Sequence, residues 1–398
     1  MWLVESVSEA DMDRVHHPLM SPLVWDLAHI AAFEELWLCM RTGGHEPMHP
    51  DLLDVYDALE TPRAVRGDVP HLDLADACEY LGAVRRRSLE VLDSGAGGDV
   101  WEMVVQHEHQ HNETMLQTLA LAEPGVFTPP ERRQLPRGAV RTGGMVRIPG
   151  GPFLAGAAPA GFAYDNERPR HEVELPEFEI DALPVTSGAF MKFVESGGYD
   201  RREWWSADGW TWAREHGVRR PLRWTADGRE RRFERVADID PAVPVMHVSW
   251  YEADAYARSL GKRLPTELEW EKAAAWGPGA SAPRTYPWGE AEPTHERANL
   301  DQTAFGPVPA GALAAGASAY GVIGLVGDAW EWTGSDFRGY PGFEPFPYRE
   351  YSEVFFGHDY RVLRGGSWAT RPRVAHNSFR NWDYPQRRQI FAGFRCAA

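Results

Sequence analysis

The stretch VVQHEHQHNETMLQTL, Val104–Leu119, carries three histidines at alternate positions. Read as a helix it turns about 100° per residue, so His107 and His111, four apart, stand one above the other on one face. His109 and Glu113 each lie two positions from one of that pair, about 200° around on the far side. Gln110 flanks the face that His107 and His111 share. Two imidazoles at this spacing can hold one metal ion, and the same pattern also describes a polar helix face. A metal needs at least one more ligand from elsewhere in the chain.

Apolar residues recur at three-to-four spacing through PLVWDLAHIAAFEELWLCMR (22–41), LDLADACEYLGAVRRRSLEVLDS (72–94) and DVWEMVVQHEHQHNETMLQTLALA (99–122), which predicts three amphipathic helices. A short helix before Pro18 would make a fourth, enough for an up-down bundle. In such a bundle the partner for His107 and His111 comes from a facing helix. His29, among Leu27, Ala28, Ile30 and Ala31, sits toward the buried side of the first long one. A lone histidine there also reads as a hydrogen-bonded core residue.

The texture changes at TPPERRQLPRGAVRTGG (128–144), rich in Pro, Gly and Arg, which reads as a linker. The expected organisation is therefore a helical domain over 1–135 and a mixed α+β domain over 136–398. In the latter, helices are expected over 187–196 and 249–260, the second continuing after a turn into 266–275.

Composition limits the functions available. The chain of 398 residues has 41 Lys and Arg against 58 Asp and Glu, a formal charge of −17. That balance argues against nucleic acid or an anionic membrane surface as partner. Cys39, Cys78 and Cys396 are odd in number and far apart, so a disulfide framework is not expected and a reducing cytoplasm fits. No basic segment followed by an apolar one opens the chain. The most apolar late stretch, AGALAAGASAYGVIGLVG (310–327), is too broken by glycine to span a bilayer. The expectation is a cytoplasmic protein acting on small molecules, with no obligate protein partner evident.

Both halves resemble known families. SPLVWDLAHIAAFEELWL (21–38) together with the 107–111 histidines looks like the DinB-type metal-binding four-helix bundle. The second half carries, in order, MVRIPGGPFLAG, PVMHVSWYEADAYARSLGKRLPTELEWEKAA, YPWGE, GLVGDAWEWTGSDF, YRVLRGGSW and GFRCA. This series resembles the formylglycine-generating-enzyme domain, a C-type-lectin-like fold. The combination is similar to the ergothioneine-biosynthesis sulfoxide synthases (the EgtB family), and the tail FRNWDYPQRRQIFAGFRCA to their actinobacterial branch.

That resemblance implies a non-heme Fe(II) enzyme that uses O2 to join a thiol to C2 of the imidazole of hercynine, N-α-trimethylhistidine, leaving the sulfur as a sulfoxide. It implies iron ligation by His29, His107 and His111. Gln110 falls where the family contacts the hercynine imidazole. Tyr348 and Tyr351, in FPYREYSEVFF, match the family's active-site tyrosines, the first as proton donor and the second as a hercynine contact. Asn381, Trp382 and Asp383 match its RNWDYP motif. Trp382 offers a π-face to a trimethylammonium, which cannot donate a hydrogen bond, with Asn381 at the rim of that pocket. Asp383 would pair with the ammonium of the thiol substrate. Arg63 and Arg66, in TPRAVRGD, match the pair that binds the carboxylates of γ-glutamylcysteine, since each guanidinium can take a carboxylate in bidentate fashion. The bland reading of RAVR is a solvated charge pair in a polar loop. Lectin-like domains of this kind often carry structural Ca2+; Asn299, Asp301 and carbonyls near VGDAWEW are candidate ligands, although Asp328 replaces the family's usual Asn.

Competing readings differ in what they require. A formylglycine-generating enzyme acts through two cysteines, and the second half has only Cys396. A stand-alone DinB thiol transferase would not need the second half. A selenoneine synthase, joining a selenosugar to hercynine, would share the iron site but differ at the arginine pair and tail. Cysteine as the thiol is a further variant. A lectin-like binding module would leave the three histidines without purpose.

Overall fold

The computed structural model describes residues 2–131, 133–135 and 143–398. The chain packs as two units, Met1–Pro129 with Arg231–Val236, and Pro130–Glu230 with Ala237–Ala398. The sequence reading had divided the chain after residue 135; much of its linker, residues 136–142, lies outside the described residues. Residues 231–236 join the helical unit because Phe233 packs on Phe127, centroids 5.4 Å apart, and the Arg231 guanidinium donates to the Ala122 carbonyl.

The first unit is built from α1 (Glu9–Asp13), α2 (Leu23–Glu34), α3 (Leu74–Asp93) and α4 (Asp99–Leu121). Thus three helices are long and the one expected before Pro18 is short. Every residue of α2 except Ala32 is buried, so α2 is the inner helix, against which α3 and α4 both pack. Its two acidic residues, Asp26 and Glu34, are buried with it. Glu34 is satisfied by Arg85 of α3 (2.9 Å), which also reaches Glu108 of α4 (2.8 Å), so one guanidinium ties three helices. The helix expected to run unbroken to Arg41 instead slips into π winding over Glu35–Thr42. Gly43 N–H bonds back five residues to the Leu38 carbonyl (2.9 Å). Glu35, at the slip, accepts from Tyr80 Oη (2.7 Å) and Met48 N–H (2.9 Å).

The second unit is irregular, as expected from its Gly, Pro and Trp content. Strands β1 (Met145–Ile148) and β4 (Phe178–Asp181) pair antiparallel, as do β2 (Gly151–Ala155) and β3 (His171–Leu175). The largest sheet has the order β10-β7-β8-β9, from β7 (Trp330–Asp336), β8 (Arg361–Arg364), β9 (Asn381–Asp383) and β10 (Ala392–Phe394). Between the two groups of strands in sequence come the hairpin of β5 (Arg229–Arg232) with β6 (Arg235–Asp238), whose residues 231–236 belong to the first unit, and four helices. These are α5 (Ser187–Glu195), α6 (Ala207–Glu215), α7 (Trp250–Ser259) and α8 (Glu267–Ala275). Ser249 with Glu252 and Thr266 with Glu269 form reciprocal capping boxes, which is why α7 and α8 start where they do. The sequence reading missed α6; Gly209 inside it lowers helix propensity, and the Ser206 cap restores a start.

The family motifs of this unit are mostly architecture. Glu331 accepts from Arg395 Nε (2.7 Å) and Nη2 (2.8 Å) and from Trp270 Nε1 (2.8 Å), all buried. Arg364 reaches Glu271 (2.7 Å), and Arg380 takes Glu267 through Nε (2.7 Å) and Nη2 (2.9 Å). Trp270 sits in an apolar cluster with Ile148, Phe178, Ile180, Val322 and Leu325. Gly365, at φ 94°, lies so close beneath this layer that a Cβ there would fall 2.1 Å from the Leu325 carbonyl oxygen. Among the described residues, no helix is long and apolar enough to cross a membrane.

Candidate active site

The residues expected to act fall into two groups, one in each unit. In the helical unit, His29 on α2 and His107 and His111 on α4 converge. One donor atom from each lies within 4.8 Å of the others, and among the described residues this is the one such group of metal-capable side chains. Ring centroids are 4.5–5.1 Å apart. Metal–nitrogen bonds of about 2.1 Å need donors somewhat closer than this, an adjustment within the reach of small χ rotations.

The orientation of each ring is set by its neighbours. His29 Nδ1 lies 2.7 Å from the Tyr56 carbonyl oxygen, which can only accept, so Nδ1 carries the proton and Nε2 is the donor available to a metal. The Trp25 ring stacks on His29 at 4.9 Å and 12°, and the Arg66 guanidinium lies over the Trp25 ring at 3.8 Å. Phe33 stacks on His107 at 3.6 Å and 12°. His111 Nδ1 lies 3.5 Å from Asp26 Oδ1. Burial, and then the neighbouring His111, push His29 and His107 well below the ordinary histidine range, which keeps both rings neutral, the form a metal binds. The residues present therefore fit a metal ion: three imidazoles, two held in a plane by stacked aromatics, with no carboxylate in the donor set. Gln110, half-buried one residue before His111, has its amide 3.4 Å from the Gln106 carbonyl.

Arg63 and Arg66 are not equivalent. Arg63 is exposed, whereas Arg66 is 4% exposed. Arg66 donates to the carbonyls of Thr61 (2.9 Å) and Ala58 (3.3 Å) and to Ser21 Oγ (2.9 Å). Burial, with Arg63 nearby, lowers its pKa to about 10. Arg63 thus faces solvent, whereas Arg66 spends three of its donors inside the protein, two of them on the loop that carries it, and its face covers Trp25.

In the second unit Tyr348 and Tyr351 are half-buried and edge-on to each other, centroids 6.3 Å apart. Tyr351 stacks on Tyr164 at 4.3 Å and 4°, and meets Trp382 edge-on at 6.1 Å. Trp382, on β9, lies flat on Phe337 at 4.1 Å with Phe355 beside it at 5.7 Å. Tyr348, Tyr351, Trp382 and Asn381 are therefore brought into one aromatic neighbourhood. Asn381 Oδ1 accepts from Trp382 N–H (2.8 Å). Asp383 Oδ1 accepts from Tyr384 N–H (2.8 Å) and lies 3.5 Å from Arg387 Nε, so part of its charge is already balanced. Of the residues considered for calcium, Asn299 keeps a buried Oδ1 without a hydrogen-bond partner, and the others make contacts within the protein. Asn299 Nδ2 donates to Asp328 Oδ1 (2.7 Å), and Asp301 pairs with Arg371.

The sequence reading missed the residues that hold these groups: Trp25, Asp26, Phe33 and Tyr56 around the histidines, Tyr164, Asp165 and Ser352 around the tyrosines. Asp26 left one signal, a carboxylate inside the apolar run LVWDLAHI.

A helical unit presenting three inward imidazoles, followed by a lectin-like unit presenting an aromatic cluster, defines a two-part class. Residues 1–115 match the DinB superfamily and residues 130–398 the sulfatase-modifying factor enzyme 1-like domain. The hercynine oxygenase of Mycolicibacterium smegmatis is 47% identical over 98% of this chain and 94% of its own. That of Mycobacterium tuberculosis is 49% identical over 98% of this chain and 93% of its own. The chain belongs to the hercynine oxygenase family. Among solved structures, PvdO from Pseudomonas aeruginosa is 22% identical and covers 64% of this chain and 93% of its own, with a TM-score of 0.46.

Proposed function

We propose that this protein is an Fe(II)- and O2-dependent enzyme of ergothioneine biosynthesis that couples γ-glutamylcysteine to hercynine. The product is γ-glutamyl-hercynylcysteine sulfoxide. Hydrogen is lost from C2 of the hercynine imidazole and from the thiol, a C–S bond forms, one oxygen atom ends on sulfur and the other leaves as water. The carrying observation is the convergence of His29, His107 and His111 in a chain 47% identical to a hercynine oxygenase over nearly its whole length.

When bound, the ferrous ion supplies the electrons that begin O2 reduction and open positions for the reactants. The chain's own residues do the rest. His29, His107 and His111 hold the metal as neutral imidazoles, and Gln110 contacts the hercynine imidazole from the same helix face. Tyr348 gives a proton from its phenol, a group that stays neutral at pH 7 and can still donate. Tyr351 and Asn381 bound the hercynine pocket, and the Trp382 face receives its trimethylammonium. Arg63 binds a carboxylate of γ-glutamylcysteine, Arg66 supports the loop that presents it, and Asp383 meets the ammonium.

The test is to supply the metal-free protein with Fe(II), hercynine, γ-glutamylcysteine and O2 and to look for the sulfoxide by mass spectrometry. No coupled product from protein with verified bound iron rejects the reading. Parallel assays with cysteine and with a selenosugar decide the sulfur or selenium donor, since the arginine loop is what favours γ-glutamylcysteine.

A further inference from the structure

Asp26 is the group at this centre to which the proposed chemistry assigns nothing. It is fully buried on α2, three residues before His29, and neither carboxylate oxygen has a hydrogen-bond partner. A buried carboxylate left in that state is costly, and proteins keep one where it serves a neighbour. His111 Nδ1 stands 3.5 Å from Asp26 Oδ1 and also lacks a hydrogen bond. A small side-chain rotation separates the two from a hydrogen bond.

Resting on the metal-centre reading above, we infer that Asp26 is a positioning residue for the metal. Its carboxylate accepts the Nδ1 proton of His111 and thereby presents Nε2, unprotonated, to the ion. Metal-binding histidines generally need an acceptor on the other nitrogen to fix tautomer and ring plane and to raise donor strength. His29 has its own in the Tyr56 carbonyl, with Trp25 stacked on its face. Trp25 and Asp26 are consecutive, so a single turn of α2 orients two ligands: Trp25 acts on His29 within its own helix, and Asp26 acts across to His111 on α4.

The experiment compares wild type with Asp26→Asn and Asp26→Ala. Co(II) and Fe(II) affinities are measured by chelator competition well below the unfolding temperature, alongside the visible ligand-field bands of bound Co(II). Asp26→Asn keeps an acceptor oxygen but loses the charge, and is expected to bind about tenfold more weakly with shifted Co(II) bands. Asp26→Ala, with no acceptor, is expected to fall further, toward about a hundredfold. Unchanged affinity and bands in both variants, whatever happens to their unfolding temperatures, would overturn the inference and make Asp26 a structural residue. If wild type itself binds neither ion, the metal-centre reading falls instead, and the two failures are told apart by that control.

Discussion

The hydroxyl of Ser352 donates a 2.5 Å hydrogen bond to Oδ1 of Asp165, 187 positions earlier in the chain. The same hydroxyl accepts from Asn166 Nδ2 (2.9 Å), and Tyr164 stacks on Tyr351. Three consecutive residues thus hold the segment that carries Tyr348 and Tyr351.

Ser352→Ala is expected to leave the Asp165 and Asn166 side chains short of a buried partner and to destabilise the protein by about 1–3 kcal/mol. Because Tyr348 and Tyr351 sit on that segment, turnover should also shift toward oxidation of the thiol alone. Melting curves and the product ratio by mass spectrometry check both. A stable variant with an unchanged ratio would mean the tyrosines are positioned by something else.

Tyr348→Phe removes only a hydroxyl from a half-buried ring. Metal and substrate binding should survive, while the coupled sulfoxide gives way to oxidised thiol. An unaltered partition between the two products would remove Tyr348 from the chemistry.

The two arginines should separate cleanly. Arg63→Ala, at an exposed position, is expected to raise the KM for γ-glutamylcysteine with a stability change within about 0.5 kcal/mol. Arg66→Ala withdraws donors from Thr61, Ala58 and Ser21 and uncovers Trp25, and is expected to cost about 2–4 kcal/mol. Steady-state kinetics and thermal unfolding on both variants test this, and equal loss of stability in the two would contradict the burial difference.

Stability of the metal-free protein should depend on His29 and His107. Their folded pKa values are lowered by burial, so below the unfolded value of about 6.5 the unfolded chain takes up protons that the folded chain refuses. The contribution is therefore fully present above that pH and lost as pH falls below it. Asp165 works in the opposite sense. Burial raises it to about 6, so its contribution is present at low pH and lost as pH rises through that value. The unfolding temperature of a His29→Asn, His107→Asn double variant should fall less between pH 6.5 and pH 5 (about one to two units of acidification) than that of the parent. Parallel curves would show that these histidines are not buried neutral.

Glu331→Gln would strip the buried Arg395 of its counter-charge and is expected to cost about 3–5 kcal/mol, read by denaturant unfolding. A near-neutral effect would mean that the motif glutamate is not an architectural ion partner.

What could be read in advance was local. His107 and His111 share a face because covalent geometry puts residues four apart there in any α-helix, and the capping pairs at Ser249 and Thr266 mark helix starts by the same short-range logic. Histidine 29 was legible only as a candidate, since nothing in its neighbours says which helix it faces. The π slip at Glu35 was not legible, because it answers to Tyr80 and Met48, 45 and 13 positions away.

The amino-acid order alone therefore determined the helix faces, the inventory of imidazoles, phenols and guanidiniums, and the net acidic balance. Tertiary structure decided which of two near-identical arginines faces water, which carboxylate meets His111, and which residues clamp the tyrosine segment. Those outcomes depend on side chains meeting across tens to hundreds of positions, where burial turns a hydrogen bond or an unpaired charge from a minor energy into a deciding one.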